Sequence, residues 1–332
     1  MANSLVGGAY EDLSSDAQAL VDAFLGDTVG GQVTTEQVEG GGTLIVGTGA
    51  NGEAQGVLIG AEGSVITGEV NLGGMELTVA LPAGIGMAFQ GPSEPMGAEQ
   101  AQEYLNGLVD GVFPADSTDP GVQAARENLQ NSINSVIEAL GGFGSGPVVI
   151  KFVALTDSSN TGARAGNEIV FSGNGAGNEL LTFALAQLGS DKILTLQNVK
   201  AALLVGQGSV KIGGDTAGIL TGDAANQNMT GGGGNDTLVG GGGNDTLTGG
   251  AGSDVFGFSG AGHMTVTDFD VARDMLAIKI PGVTNAEGLS QLYTGIEING
   301  STAVLHFGSQ ASVTLLSVNP GDLTVDLIKF SL

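Results

Sequence analysis

Residues 231–257 read GGGGNDTLV, GGGGNDTLT and GGAGSDVFG, three consecutive copies of one nine-residue pattern. Every copy has glycine at its first, second and fourth positions, aspartate at its sixth and a large apolar residue at its eighth. The first six residues predict a turn, because glycine adopts positive φ angles and lets backbones approach closely. The last three predict a short strand whose apolar residue points inward. Successive copies are expected to alternate between two sides of a flattened right-handed coil, so that two copies complete one turn.

The oxygen atoms of these turns predict calcium sites. Calcium takes roughly six to eight oxygen ligands, from carboxylates and backbone carbonyls. Asp236 and Asp254 lie two copies apart and should share one site, whereas Asp245 faces the other side and needs a partner there. The glycines expected to bring carbonyl groups to the ions are Gly232, Gly234, Gly241, Gly243, Gly250 and Gly252.

Two earlier stretches keep the spacing but depart from the pattern. Residues 222–230 (GDAANQNMT) have Gln227 at the sixth position, and residues 213–221 (GGDTAGILT) lack the aspartate as well. We interpret both as coil turns that have lost most metal ligands, where Asp215 or Asp223 could partly compensate. A flexible linker is the alternative for a glycine-rich run. It would not keep large apolar residues nine positions apart, as found at Leu220, Met229, Leu238, Leu247 and Phe256.

The repeats resemble those of the RTX family of calcium-dependent secreted proteins, and the resemblance extends from about residue 213 to the C-terminus. Residues 254–258 (DVFGF), 265–269 (TVTDF) and 273–278 (RDMLAI) are similar to the family's cap on the coil, and we include Asp268 among the metal residues. His263 stands where the family usually has asparagine or aspartate. The resemblance implies Ca²⁺ as cofactor and a parallel β-roll. It also implies export from a Gram-negative bacterium through type I secretion machinery, with an uncleaved C-terminal signal.

Composition limits the partners. The chain has 9 basic and 35 acidic residues, a formal charge of −26, and residues 1–150 contain a single basic residue, Arg126. Nucleic acid and anionic membrane surfaces would repel such a chain. There is no cysteine, so calcium would have to replace disulfides as the staple of an extracellular fold. The longest apolar stretch, residues 77–89, is too short to span a bilayer.

Apolar periodicity outside the repeats predicts helices over residues 11–26, 98–109 and 120–140 and antiparallel strands over residues 43–89. Within the strands, residues 83–89 (AGIGMAF) are either a buried segment or a surface patch that docks another subunit. The expected fold is mainly β and has four parts: an N-terminal α+β domain at 1–150, a β lead-in at 151–212, the calcium-binding parallel β-roll, a β-solenoid, at 213–257, and a C-terminal β cap with the secretion-signal region at 258–332.

Catalytic motifs are missing from the sequence. There is no H-E-x-x-H, no G-x-S-x-G and no cysteine nucleophile, and the only histidines are His263 and His306. We therefore predict a protein that is not an enzyme. The favoured function is a secreted structural protein that self-assembles, as a homo-oligomer or polymer, into a cell-surface or extracellular-matrix layer, such as an S-layer, or a filament. The alternatives are a calcium-dependent adhesin or carbohydrate-binding protein with a cell-surface polysaccharide partner, and a secreted hydrolase.

Overall fold

The structure, a computed structural model, describes residues 34–330 with short internal gaps. The gaps fall at 40, 50–51, 61–64, 73–74, 113–114, 141–146, 158–166, 174–177, 187, 260, 281–282, 284 and 310. The helix predicted over residues 11–26 lies outside the described residues. The chain divides into two compact units: the first comprises residues 1–96 and 147–199, and the second comprises residues 97–146 and 200–332.

The first unit is built from two sheets. Its strands are β1 (Thr34–Val38), β2 (Gly42–Thr48), β3 (Ala54–Gly60), β4 (Ile66–Asn71), β5 (Glu76–Leu81), β6 (Ile85–Gly91), β7 (Val148–Asp157), β8 (Glu168–Ser172), β9 (Asn178–Ala184) and β10 (Ile193–Gln197). One sheet has the order β1-β2-β3-β6-β7-β9 and the other the order β4-β5-β8-β10. Pairing is antiparallel from β1 to β6, as predicted, and becomes parallel between β7 and β9 and between β8 and β10.

Strand β6 settles the two alternatives for residues 83–89. It lies between β3 and β7 within its sheet. The side chains of Ile85, Met87 and Phe89 are buried. The surface-patch alternative is therefore wrong, because these apolar residues are already covered by the chain's own core.

The second unit contains the three helices of the described residues and the remaining strands. The helices are α1 (Ala98–Val112), α2 (Pro120–Ala139) and α3 (Ala286–Leu292). The strands are β11 (Ala201–Val205), β12 (Gly208–Gly213), β13 (Ile219–Thr221), β14 (Gln227–Gly232), β15 (Thr237–Val239), β16 (Gly243–Gly250), β17 (Val255–Phe258), β18 (Gly262–Val266), β19 (Met275–Ile278), β20 (Tyr293–Asn299), β21 (Thr302–Phe307), β22 (Ala311–Leu315) and β23 (Ile328–Lys329). The helices predicted over residues 98–109 and 120–140 are confirmed in α1 and α2. Within the described residues, no helix is long and apolar enough to cross a membrane.

Strands β11 to β19 form the predicted β-roll. Odd-numbered strands pair in parallel in one sheet and even-numbered strands in the other, so each strand pairs with the next but one along the chain. Leu238 pairs with Phe256 and Met229 with Leu247, the offset of two copies that a two-copy turn requires. The eighth-position residues of the copies are all buried: Leu220, Met229, Leu238, Leu247 and Phe256.

The parallel ladders begin before the predicted start at residue 213. Strands β11 and β12 already pair in parallel with β13 and β14. Helix α2 packs on β11, β13 and β15. After β18, strand β22 continues its sheet in parallel, and β21 and β20 complete it as an antiparallel hairpin with β20 at the edge.

Candidate metal centre

The turns of the repeats stack on two sides of the roll. Side A contains the turns at 213–218, 231–236 and 249–254, and side B contains those at 222–227 and 240–245. Backbone hydrogen bonds join successive turns on each side. On side A the Gly233 N–H donates to Gly214 O (2.9 Å) and the Ala251 N–H to Gly232 O (2.9 Å). On side B the Gly242 N–H donates to Asp223 O (2.8 Å).

Side A carries a column of buried aspartates, Asp236, Asp254 and Asp274. Each carboxylate accepts a hydrogen bond, through Oδ1, from the backbone one full turn earlier. The donors are the N–H groups of Gly218 (2.8 Å), Asp236 (2.8 Å) and Asp254 (3.0 Å), in that order. Asp236 and Asp254 therefore lie in one column, as their spacing predicts. Sequence reasoning missed Asp274, although the segment 273–278 that contains it could have been aligned as the next turn and strand.

The six predicted glycines lie where carbonyl oxygens of the preceding turn face them. A Cβ atom on Gly232 would lie 2.6 Å from Gly214 O, and one on Gly243 would lie 2.6 Å from Ala225 O. Gly241 and Gly250 also have φ angles of 87° and 98°, which other residues rarely adopt. The other carbonyl oxygens met in this way are Thr216 O at Gly234, Asp223 O and Gly222 O at Gly241, Gly232 O at Gly250 and Gly234 O at Gly252. The interior of the turns is thus lined by oxygen atoms.

A Cβ atom on the first glycine of a turn would meet two such oxygens at once. A Cβ atom on Gly231 would collide with the Oδ2 atom of Asp236, from its own turn, and with the carbonyl oxygen of Gly249, from the next turn on side A.

Burial works against the ionised form of these carboxylates. Desolvation raises the pKa of Asp245 to about 8, with repulsion from Asp223 adding to the effect. The pKa of Asp254 is raised to about 6, first by desolvation and then by the charges of Asp274, Asp236 and Asp268. The pKa of Asp236 is raised by the same burial. Within the described part of the chain, no ion pair with lysine or arginine involves Asp236, Asp245 or Asp254.

A hard divalent cation fits this set of donors. It would restore the ionised carboxylates, and the oxygens that face the turns are its preferred ligands. Among the described residues, no group of three or more acidic or histidine side chains could hold an ion alone. Backbone carbonyls would therefore have to complete each site, as the glycine positions predict.

Asp268 lies beside the side A column but is engaged by the backbone. Its Oδ1 accepts from the Gly249 N–H (2.9 Å) and its Oδ2 from the Gly250 N–H (2.8 Å). Its charge raises the pKa of Asp254. Asp268 therefore caps the last repeat turn, and its membership of a metal site stays a prediction.

On side B, Asp245 has the partners that were left open by the sequence. Its Oδ1 accepts from the Gln227 N–H (2.8 Å), and Asp223 is close enough to raise its pKa. Asp215 instead lies against Gly233, on side A. Of the two residues predicted to compensate for lost ligands, only Asp223 is near Asp245.

Comparison with known proteins bears on residues 221–256. A family model described as the RTX calcium-binding nonapeptide repeat matches this segment with four copies. Residues 221–256 are RTX repeats. RTX nonapeptide repeats bind calcium, and the match includes the copy that contains Gln227.

Seven chains of solved structures also match, among them the extracellular lipase LipA from Serratia marcescens. That match has 16% identity, covers 64% of this chain and 48% of the lipase chain, and has a TM-score of 0.23. The chain thus spans about half the length of the lipase chain that it matches. No curated protein sequence matches this chain.

Proposed function

We propose that this protein is a secreted, calcium-binding structural protein that folds outside the cell and self-assembles into a cell-surface or extracellular layer or filament. The observation that carries the calcium part is the stack of buried aspartates facing backbone carbonyls in the RTX turns. The type I export route follows from the RTX repeats by family resemblance. A chain with a formal charge of −26 would resist compaction where calcium is scarce, which suits export before folding.

Assembly needs an attachment surface other than residues 83–89. Strand β20 is at the edge of its sheet and exposes two large apolar side chains, Ile296 and Ile298, with 41% and 57% of their surface accessible. An exposed apolar edge strand is a template for pairing with another chain. Calcium would also offset the repulsion between acidic copies, since the repulsion between exposed charges is screened only beyond about 8 Å at physiological ionic strength.

We propose no catalytic role for the two histidines, His263 and His306. His306 lies in β21, and His263 Nδ1 is 2.7 Å from Ser312 Oγ. Among the described residues, no carboxylate pairs with His263, which contacts the Ser312 hydroxyl, whereas His306 Nε2 lies 3.9 Å from Glu297 Oε2. Binding to a cell-surface polysaccharide would belong to the alternative function, a calcium-dependent adhesin.

Light scattering and electron microscopy of the purified chain test the proposal. Millimolar calcium should produce ordered high-order assemblies that a chelator prevents or reverses. Ile298→Lys should abolish assembly while leaving the calcium-dependent fold unchanged by circular dichroism. Val65→Lys is the matched control, because Val65 is also an exposed apolar residue, with 52% of its surface accessible. A chain that stays monomeric at millimolar calcium and high concentration would reject assembly and favour the adhesin.

A further inference from the structure

The side B turn at 222–227 departs from the repeat pattern at three positions. Its fourth residue is Ala225 instead of glycine. Asp223 occupies the second position, where the other repeat turns have glycine, and Gln227 occupies the sixth, where the three turns from 231 to 254 have aspartate. Judged by residue types alone, this turn has a neutral side chain in place of its metal ligand. The positions of the oxygen atoms indicate that the turn keeps an oxygen ligand.

The amide oxygen of Gln227 takes the place of the missing carboxylate oxygen. A Cβ atom on Gly222 would collide with Oε1 of Gln227 and would lie 2.5 Å from Gly240 O. On side A, Gly231 meets the equivalent pair, Oδ2 of Asp236 and the carbonyl oxygen of Gly249. Each pair combines a sixth-position oxygen with the first carbonyl of the next turn on the same side.

This amide oxygen is buried without a donor. Gln227 is 2% exposed, and its Oε1 accepts no hydrogen bond within the described residues. A buried polar atom left in this state destabilises the fold. The atom across the turn from this amide oxygen is a second acceptor, the carbonyl oxygen of Gly240. A cation would bind both oxygens, whereas a single hydrogen-bond donor would satisfy them less well.

Asp223 fixes the orientation of the amide. The Nε2 group of Gln227 donates to Oδ1 of Asp223 (2.6 Å) and to Gly206 O (3.2 Å). A flipped amide would place its oxygen against this carboxylate and carbonyl, so the opposite orientation is excluded on electrostatic grounds. The Gly206 N–H and the Ala225 N–H hold Asp223 in turn, at 3.0 and 2.9 Å.

We infer that Gln227 is a calcium ligand on side B, a neutral replacement for the sixth-position aspartate, which completes a site with the carboxylate of Asp245 and the carbonyl of Gly240. Asp223 is a positioning residue: it orients the amide and restores the negative charge that the glutamine lacks. The inference rests on the calcium binding proposed for the repeats and extends it to a turn without the repeat's aspartate.

Calcium titration of the full-length chain by calorimetry tests this role. Gln227→Met removes the amide oxygen at nearly constant volume. We expect it to remove one calcium site or weaken it on the order of 10–100-fold, the range seen when support for a metal ligand is lost. Gln207→Met is the matched control, because Gln207 is exposed on the same side of the roll. Asp254→Asn should affect a different site, so the losses should add in the double variant.

The outcomes separate the inference from the proposed function. If the wild-type chain binds no calcium, both fail. If the wild type binds calcium and Gln227→Met, with an intact circular dichroism spectrum, binds the same number of ions equally well, only the inference fails. Should Gln227→Met not fold, Asp223→Asn decides: it removes the charge that the inference assigns to this site and keeps an oxygen acceptor, so one site should weaken by about tenfold or more. Unchanged affinities in Asp223→Asn would overturn the inference.

Discussion

Replacing Asp254 by asparagine should have opposite effects on stability with and without calcium. Asparagine retains an oxygen that can accept the Asp236 N–H, a hydrogen bond of 2.8 Å in the native turn. It removes one charge from a cluster in which Asp274, Asp236 and Asp268 all oppose the ionisation of Asp254. Without calcium, the variant is therefore expected to be at least as stable as the wild type. With calcium it should be less stable, because the cation loses a charged ligand.

The two effects are similar in size. At about 10 mM calcium and a dissociation constant of roughly 10⁻⁴–10⁻³ M, one site adds about 1.4–2.7 kcal/mol to the free energy of unfolding. The rise in the pKa of Asp254 from 3.8 to about 6 would correspond to at most about 3 kcal/mol at neutral pH. Because the neighbouring Asp268 is only half-buried and solvent screens it, we expect a gain on the order of 1 kcal/mol in the variant without calcium.

Urea unfolding followed by circular dichroism, in chelator and in about 10 mM calcium, measures both effects. Asp116→Asn is the matched control, because Asp116 is exposed in the same unit and outside the turns. It should shift neither curve. Equal destabilisation of Asp254→Asn in chelator and in calcium would show that the side chain serves only as a hydrogen-bond acceptor, and would refute the reasoning.

Three further predictions concern the carboxylates and the core. In chelator, the free energy of unfolding should fall as pH rises from about 4 to about 8, because Asp254 and Asp245 have folded-state pKa values of about 6 and about 8, above the ordinary 3.8, so that the folded chain binds more protons. Thermal unfolding at several pH values checks this, and stability that rises over this range would contradict it. Leu247→Ala should cost about 2–5 kcal/mol with or without calcium, because Leu247 is fully buried; a urea midpoint unchanged from wild type would count against the inward position. Met87→Lys should prevent folding of the first unit instead of blocking assembly alone, since Met87 is fully buried within β6, and a folded, monomeric variant would restore the surface-patch interpretation.

The sequence was sufficient to predict the roll where its turns repeat, but not where the roll begins. The repeats predicted both the alternation of strands and the buried apolar column. Strand β11 has the sequence AALLV, and its first four residues are all buried. A strand covered on both faces, here with α2 packed on it, shows a continuous apolar run instead of an alternating one. Without a repeated turn beside it, such a run does not indicate a coil.

The column of candidate metal residues is predictable where the spacing is kept. Asp236 and Asp254 are 18 positions apart, and their column follows from the nine-residue period. Asp274 follows Asp254 after 20 positions, so the period does not reach it. The pattern predicts a lost ligand at Gln227, because it records the missing charge and not the position of the amide oxygen. The position of its amide oxygen depends on the fold of the turn and on Asp223. A rule based on residue spacing includes neither.

The construction of the roll makes calcium part of its folding, beyond any role as a bound cofactor. Each nine-residue copy buries only one or two apolar side chains, and strands β13 and β15 are three residues long. The glycines of each turn lose more conformational freedom on folding than any other residue would. The carboxylates that would close the turns are themselves unfavourable when buried and ionised. A cation that binds only the folded turns offsets the small apolar burial, the conformational freedom lost by the glycines and the unfavourable burial of the carboxylates. Calcium concentration should therefore determine whether this part of the chain is extended or folded. Low calcium would then keep the chain extended for export, and the calcium met outside would fold it where the proposed layer forms.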